Sequence, residues 1–430
     1  MIQRRILASA ALVVAGVVVL AGCSSGASPA ASSAKPSAAG PATGELTLAW
    51  QSTEAPALKP VIEAFEAENP DVTVTLVEAS IEQYFASLPT QLASGAAPDA
   101  FLVWAGWGNA VAQKQFAQYD YLEDLSSHAF VSEIPEGIQL ATQTAGKTYM
   151  MPTTMLAFSQ WYNMDAMEEV GLTPPTTVEE LFTFCSDAQA KGKVPFAQGS
   201  ATPSSNNRGF AGFYGDFMGD KSLDDIMAPI SDGSSTYAES PMWVKTMKQY
   251  EKMIDAGCFP KDAIAIDQAK EDDMFVSGDA LGSMAPTNQK AAWVAKGPNV
   301  NFELHPATKN VLLYNNKGIA VNAKAKNKDA ALKFVDFFAQ AEQRGAFAKG
   351  LSGVLPAIPT GEAIEDKSLK LLSAKQAAGE TVSFYAQYWE DPKLDATIGP
   401  SIQGMYLGQN SAKDVIAALD EEQKAFIAKK

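Results

Sequence analysis

The sequence is poor in histidine and cysteine. Its 430 residues include only two histidines, His128 and His305, and three cysteines. Zinc sites draw about four ligands mostly from these two residue types, so neither a histidine-rich nor a four-cysteine site can be assembled here. We therefore expect no zinc site and no cofactor, whereas a structural calcium in a loop stays open.

Basic residues are scarce relative to acidic ones. Lys and Arg number 33 against 49 Asp and Glu, which gives a net charge of −16 at pH 7. A protein that binds DNA or RNA must neutralise phosphates, so the charge has the wrong sign for that role. We expect no nucleic acid among the partners.

Signatures of common catalytic and nucleotide-binding sites are absent. The chain contains no G-x-S-x-G, H-E-x-x-H, G-x-x-x-x-G-K-[ST] or G-x-G-x-x-G. These motifs mark serine nucleophiles, zinc proteases and phosphate-binding loops. We therefore expect a protein that is not an enzyme. A glycosidase stays open as an alternative, because it needs only two suitably spaced carboxylates.

A hydrophobic run long enough to span a membrane is also missing. The hydrophobic, uncharged run 6–20 has only 15 residues, and it follows two arginines and leads into Leu-Ala-Gly-Cys at 20–23. This pattern is typical of a bacterial lipoprotein signal peptide. We predict a signal peptide over residues 1–22 and lipidation of Cys23. The alternative is a plain secretory signal with an incidental cysteine.

The segment after Cys23 has almost no side chain that could be buried. Of the 21 residues 24–44, 19 are Ser, Ala, Pro or Gly. Such a composition cannot build a core, so we predict a disordered tether over residues 23–44. Acyl chains on Cys23 would attach the protein to the membrane without a transmembrane helix.

The remaining chain opens with alternating strand and helix patterns. Apolar residues alternate over 46–50 and again over 72–76, and a continuous apolar run covers 100–104. Between the first two runs, apolar residues fall at helical spacing over 58–65. The alternation predicts an α/β fold with parallel strands, whose ligands usually lie outside the carboxyl ends of the strands.

Candidate ligand residues follow the first and third of these strands. Trp50, Gln51 and Glu54 stand at the end of the first, and Trp107 follows the third. Further aromatic residues near predicted strand ends are Trp104, Trp161, Tyr162, Tyr388 and Trp389. An aromatic face suits a sugar, whose C–H bonds form an apolar patch while its hydroxyls bond polar side chains. The alternative is that these rings belong to the hydrophobic core.

Cys185 and Cys258 remain once Cys23 is lipidated. An even pair of cysteines in an extracytoplasmic protein can form a disulfide. Cys185 also lies on the apolar face of a predicted helix, where a free thiol packs well. A disulfide and two free thiols are therefore both open.

Eight short motifs occur in a recognisable order. They are FEAENPDV at 65–72, the turn at 95–99 ending in Pro-Asp, GKTYMMP at 146–152, WYN at 161–163, GLTPPT at 171–176, FVSGDA at 275–280, KGIAVN at 317–322 and LPA at 355–357. Together they resemble the extracellular solute-binding proteins, family 1, of ABC importers, which include maltose-binding protein. The resemblance extends from Leu46 to the last helix.

The resemblance implies a two-lobed periplasmic-binding-protein fold of the type II kind. Its two α/β lobes are joined by crossing segments and hold the ligand in the cleft between them, which closes about a hinge. By analogy the chain crosses near 152–157, 284–288 and 317–320. Lobe one is then 45–154 plus 287–318, and lobe two is 155–286 plus 319–430.

The resemblance also implies individual ligand residues. Glu54, with Gln51 beside it, takes the place of a carboxylate that bonds sugar hydroxyls. Trp104 matches an aromatic that stacks on the sugar, whereas Trp107 replaces a charged residue of maltose binders, so maltose is not assumed. The further candidates are Tyr84, Arg208, Asn288, Tyr388, Trp389 and Glu390.

These patterns together predict a solute-binding lipoprotein. We expect a monomer on the outer face of the cell membrane that captures a neutral mono- or oligosaccharide and delivers it to the transmembrane subunits of an ABC permease. Removal of residues 1–22 takes away two arginines, so the mature chain is even more acidic and gives little attraction for anionic ligands. The alternatives are a polyol, a glycerol phosphodiester or a peptide as ligand, and a surface glycosidase.

Overall fold

The computed structural model describes residues 43–202 and 206–430, without the side chains of residues 207 and 208. The predicted signal peptide, the lipidation site Cys23 and nearly all of the predicted tether lie outside the described residues. The side chain of the candidate Arg208 also lies outside them, although its backbone belongs to a helix.

Strands and helices alternate through most of the described chain. The strands are β1 (Gly44–Gln51), β2 (Val72–Ala79), β3 (Ala100–Trp104), β4 (Gln143–Thr144), β5 (Lys147–Thr148), β6 (Met151–Asn163), β7 (Val194–Phe196), β8 (Ala280–Pro286), β9 (Phe302–Leu304), β10 (Val311–Val321), β11 (Leu355–Pro356) and β12 (Thr381–Val382). The helices are α1 (Ala55–Glu68), α2 (Ile81–Ser94), α3 (Gln113–Ala117), α4 (Glu136–Thr142), α5 (Met164–Val170), α6 (Val178–Ala190), α7 (Asn206–Ala211), α8 (Leu223–Asp232), α9 (Pro241–Asp255), α10 (Gln268–Ser277), α11 (Lys290–Lys296), α12 (Lys328–Phe338), α13 (Ala341–Lys349), α14 (Lys367–Ala377), α15 (Lys393–Tyr406) and α16 (Ala412–Ile427).

The predicted α/β fold class is confirmed by the main sheet. Its strand order is β2-β1-β3-β10-β6-β8-β7, with β9 and β11 on β6 and β12 on β10. β1 runs parallel to both β2 and β3, so the carboxyl ends of these three strands meet at one edge. β10 lies antiparallel between β3 and β6 and has register shifts between Asn315 and Gly318. That irregular stretch adjoins the segment predicted to cross between the lobes.

Helices α12 and α13 complete the core around β1 and α1. The ring of Phe334 in α12 lies 5.2 Å from that of Phe65 in α1. The ring of Phe347 in α13 lies 5.8 Å from that of Trp50, edge to face. The predicted division assigned both helices to lobe two, within 319–430, whereas their aromatic side chains contact α1 and β1 of predicted lobe one. Their apolar periodicity indicated which face is buried, but it could not indicate against which sheet.

A second core surrounds Trp243 of α9. The rings of Tyr237 and Tyr385 lie 5.0 Å from Trp243, and α15 and α16 contribute aliphatic side chains to the same cluster. Cys185 of α6 and Cys258, after α9, form a disulfide with their Cα atoms 5.1 Å apart. Of the two alternatives for these cysteines, the disulfide is the one present.

Two negative observations concern the described residues only. Within 43–202 and 206–430 no helix is both long and apolar enough to cross a membrane. The same residues contain no group of three or more His, Cys, Asp or Glu side chains placed to hold a metal ion.

Candidate functional site

A polar cluster lies where β1 and β3 end beside the middle of β10. The ammonium of Lys317, on β10, donates hydrogen bonds to Oε1 of Gln51 and to Oε1 of Glu54. It also lies 4.7 Å from the centroid of the Trp104 ring, over the indole face. Gln51 and Lys317 are each only 7% exposed. Three of the predicted ligand residues thus come together, around a lysine that was not predicted.

Aromatic side chains of α2 support the Trp104 ring from the other side. Phe85 contacts it edge to face, with ring centroids 4.9 Å apart, and Tyr84 lies 6.1 Å away. The Tyr84 hydroxyl is buried and donates to the carbonyl of Leu102 at 2.7 Å. Burial raises the pKa of Tyr84 well above its usual value. Tyr84 was predicted to bind ligand, but its hydroxyl is already engaged inside the core.

A cavity of about 340 Å³ lies between the loop after β3 and helix α8. Trp107, Tyr388 and Glu390, all predicted ligand residues, line it together. Its other lining residues are Lys114, Asp224, Met227, Ala228, Ser231, Asp232 and Lys430. Aromatic, acidic and basic side chains from distant parts of the chain therefore face one space.

Electrostatics in this cavity follow from partial burial. Burial raises the pKa of Tyr388 to about 12, and the nearby Asp224 acts in the same direction. Burial lowers the pKa of Lys114, whereas Asp224 and Glu390 oppose that shift. The Glu390 carboxylate forms an ion pair with Lys430. The phenol therefore stays neutral at pH 7 and can both donate and accept hydrogen bonds.

A second cavity, of about 540 Å³, shares Asp224 and Tyr388 with the first. Glu136, Gly137 and Leu140 of α4 line one side. The segments 218–224 and 381–383 line the other side. We call these two cavities together the cleft. A further cavity, of about 660 Å³, also borders the segment 218–221 and is lined only by residues between 216 and 245.

A backbone contact joins the loop after β3 to the segment that carries Tyr388. The amide of Trp107 donates to the carbonyl of Gln387 at 2.9 Å, and that of Gly108 donates to the carbonyl of Trp389 at 3.2 Å. Gly106 has a φ of +75°, and a Cβ added there would lie 2.4 Å from the Gln387 oxygen. Only glycine permits this approach.

Other predicted ligand residues do not line the cleft, and Gln51, Glu54 and Trp104 of the polar cluster are among them. Trp50 is fully buried in the first core, and Trp389 is 2% exposed and stacks on Trp243. Trp161 and Tyr162 are likewise buried, so for these four rings the core interpretation applies. Asn288 is exposed on the short 3-10 helix Thr287–Gln289 and lines neither cavity of the cleft.

Sequence reasoning missed two groups of residues. Lys317 had a detectable signal, since it is the only charged residue in the otherwise apolar and amide-bearing run of β10. Lys114, Asp224 and Leu140 gave no such signal, because an isolated charged or apolar residue on a surface helix is ordinary. Only the tertiary arrangement places them in the cleft.

The chain is similar to a known protein family and to individual binding proteins. A family model described as bacterial extracellular solute-binding protein matches residues 49–345. A binding protein of Brucella abortus is 25% identical over 327 residues, covering 72% of this chain and 75% of that protein. A multiple sugar-binding protein of Streptococcus mutans is 25% identical over 140 residues, which is 33% of this chain and 32% of that protein.

Solved structures with the same fold cover nearly the whole described chain. A family 1 extracellular solute-binding protein from Bifidobacterium longum subsp. infantis has a TM-score of 0.75 at 22% identity, over 90% of this chain and 100% of that one. The binding protein RafE in complex with raffinose has a TM-score of 0.70 at 20% identity, over 89% of this chain and 100% of that one. These likenesses confirm the predicted two-lobed fold class.

Proposed function

Because the chain belongs to the family of bacterial extracellular solute-binding proteins, we propose that it captures a carbohydrate in the cleft and delivers it to an ABC permease. The ligand is held between the two lobes, and the closed form docks on the permease. No covalent step is involved, so the protein acts by stoichiometric binding.

The observation that carries this proposal is the composition of the cleft. Trp107 and Tyr388 both line it, and Asp224, Glu136 and Lys114 contribute to the same lining. An aromatic pair with hydrogen-bonding groups around it suits a sugar ring, which is apolar on its faces and polar at its edges. The names of the Streptococcus mutans relative and of the raffinose complex support a sugar over the other solutes.

Lipid anchoring is the second part of the proposal. It rests on the Leu-Ala-Gly-Cys sequence at 20–23 and on the Ser, Ala, Pro and Gly composition that follows. Mass spectrometry of the N-terminal peptide from membrane fractions tests it. We expect an acylated Cys23 in the wild type, and an unmodified peptide released into the medium or retained as precursor in C23A. An unmodified Cys23 in the wild type contradicts the anchor.

Calorimetric titration tests the function itself. We expect one neutral mono- or oligosaccharide of a panel to bind with a stoichiometry near one and to be recovered unchanged by chromatography. Binding of a polyol, phosphodiester or peptide instead would keep the solute-binding family and overturn the carbohydrate ligand. Consumption of the sugar would identify an enzyme.

A further inference from the structure

We propose that Lys317 is a positioning residue that sets Gln51 and Glu54 for a neutral ligand bearing adjacent hydroxyls. The inference rests on the proposed function and concerns the carboxyl ends of β1 and β3, an edge at which ligands of α/β sheets usually bind. The residues of this cluster line neither cavity of the cleft. Lys317 lies on β10, which also pairs with β6 on its other side. It therefore links the irregular middle of the sheet to the strand-end residues of β1 and β3.

The ammonium of Lys317 is engaged inside the cluster. It donates to Gln51 Oε1 and to Glu54 Oε1, and it lies 4.7 Å from the centroid of the Trp104 ring. Two of its three donors are therefore used, and the residue is only 7% exposed. We infer that Lys317 acts on the ligand mainly through Gln51 and Glu54.

What remains free is one donor and one acceptor. Among the hydrogen bonds of residues 43–202 and 206–430, Gln51 Nε2 donates none and Glu54 Oε2 accepts none. An amide N–H beside a carboxylate oxygen matches two neighbouring hydroxyls, one accepting and one donating. Because Lys317 balances the charge of Glu54, this pair favours a neutral ligand over a cationic one.

The lysine is held from its backbone as well as from its side chain. Its carbonyl accepts hydrogen bonds from Thr153 Oγ1 at 3.1 Å and from Asn315 Nδ2 at 3.0 Å. A group fixed at both ends loses little conformational entropy when ligand binds, and so it can preorganise the side chains that it contacts.

The same geometry changes the role of Trp104. Its face, predicted to stack on sugar, is covered by the Lys317 ammonium, and Phe85 contacts the ring as well. Trp104 therefore holds the lysine through a cation–π contact. Trp107 and Tyr388, which line the cleft, are then the rings that stack on the ligand.

Titration of K317M with the sugar that the wild type binds tests the proposal. We expect the affinity to fall at least about tenfold, because Gln51 and Glu54 lose a charge-assisted partner. K317R should keep most of the affinity. K328M is the matched control, since Lys328 pairs with Glu123 at 2.6 Å on the surface and its loss should change affinity less than about twofold.

A double-mutant cycle separates positioning from a merely structural role. If Lys317 acts through Gln51 and Glu54, the loss of affinity in K317M/E54Q is smaller than the sum of the losses in K317M and in E54Q. The double variant leaves no unpaired carboxylate beside Trp104, so it also serves if K317M alone fails to fold. Its thermal unfolding in the absence of ligand shows whether the fold is intact.

The outcomes are distinct. Additive losses in the cycle, or an affinity of K317M equal to that of the wild type, overturn the inference while the sugar-binding function stands. A wild type that binds no sugar of the panel overturns the proposed function and this inference with it. Non-additive losses together with retention of affinity in K317R support it.

Discussion

At the scale of single residues, the structure divides the predicted aromatics into those of the core and those of the cleft. Trp50 and Trp389 are nearly inaccessible, whereas Trp107 and Tyr388 keep part of their surface free in the cleft. Substitution of a partly exposed ring removes contact with ligand but creates no core cavity. Substitution of Trp50 or Trp389 should therefore lower the stability of the fold, whereas substitution of Trp107 should lower the affinity for ligand.

We predict that W107A lowers sugar affinity roughly tenfold, since loss of an aromatic contact costs about 1–1.5 kcal/mol. The free energy of unfolding should change by less than about 1 kcal/mol. Calorimetric titration and urea unfolding measure the two quantities. Y119A is the matched control, because Tyr119 is 66% exposed and lines neither cavity of the cleft. Equal affinity of W107A and Y119A would remove Trp107 from the site.

At the scale of elements, two cross-links between distant segments give stability predictions. The disulfide joins α6 to the segment after α9 across 73 positions. Closing so long a loop restricts the unfolded chain. We predict that C185A/C258A lowers the free energy of unfolding by about 2–4 kcal/mol and leaves ligand affinity unchanged. Denaturant unfolding with and without reductant checks this, since reductant should destabilise only the wild type.

The second cross-link joins His128, before the 3-10 helix Ala129–Glu133, to Asp336 of α12. The ring Nδ1 lies 2.7 Å from the carboxylate of Asp336. This hydrogen bond raises the pKa of His128, with smaller contributions in the same direction from the charges of Asp336 and Glu123, while burial opposes the shift.

A raised pKa in the folded state makes stability depend on pH in one direction. The contribution of His128 is fully present below the pKa of the unfolded chain, about 6.5, and is lost as pH rises through the folded value. We predict that H128Q costs less than about 1 kcal/mol near pH 6, because Asp336 is exposed, and still less near pH 8. Urea unfolding at both pH values measures the difference. A larger cost at the higher pH would contradict the assignment.

At the scale of the whole molecule, the contact between the two cores through Gly106 couples folding to binding. The loop after β3 meets the segment carrying Tyr388 with no room for a Cβ at Gly106. Alanine there would displace the Gln387 backbone and move Tyr388 away from Trp107. The two aromatic rings would then no longer line the cleft in their present arrangement.

We predict that G106A weakens sugar binding about tenfold or more, as expected when a catalytic or binding group is displaced by about 1 Å. G95A provides the matched control. Gly95 has a similar φ of +73°, so alanine pays a comparable strain of about 1–2 kcal/mol, but nothing lies within 4 Å of the added Cβ. Thermal unfolding should therefore shift in both variants, and affinity in G106A alone. Equal affinity losses would attribute the effect to backbone strain.

The local pattern of the chain determined the first elements and the polar residues that lie at the edge where they end. The alternation over 46–50 and the apolar run over 100–104 predicted β1 and β3, because side-chain period and burial are encoded over a few residues. Gln51 and Glu54 were found for the same reason, since residues after a parallel strand lie at a predictable edge. The export and anchoring signals, likewise contiguous, remain predictions.

Tertiary structure alone decided how distant segments meet. Lys317 pairs with Glu54 across 263 positions, and α12 and α13 cover α1 rather than the second core. Asp224 of α8 and Lys114 of α3 line the same cavity only because these two helices approach each other there. Periodicity tells which face of an element is buried, but the partner of that face depends on the packing of the whole chain. The sequence thus determined the strand edge and its polar residues, and packing decided which residues complete the cleft.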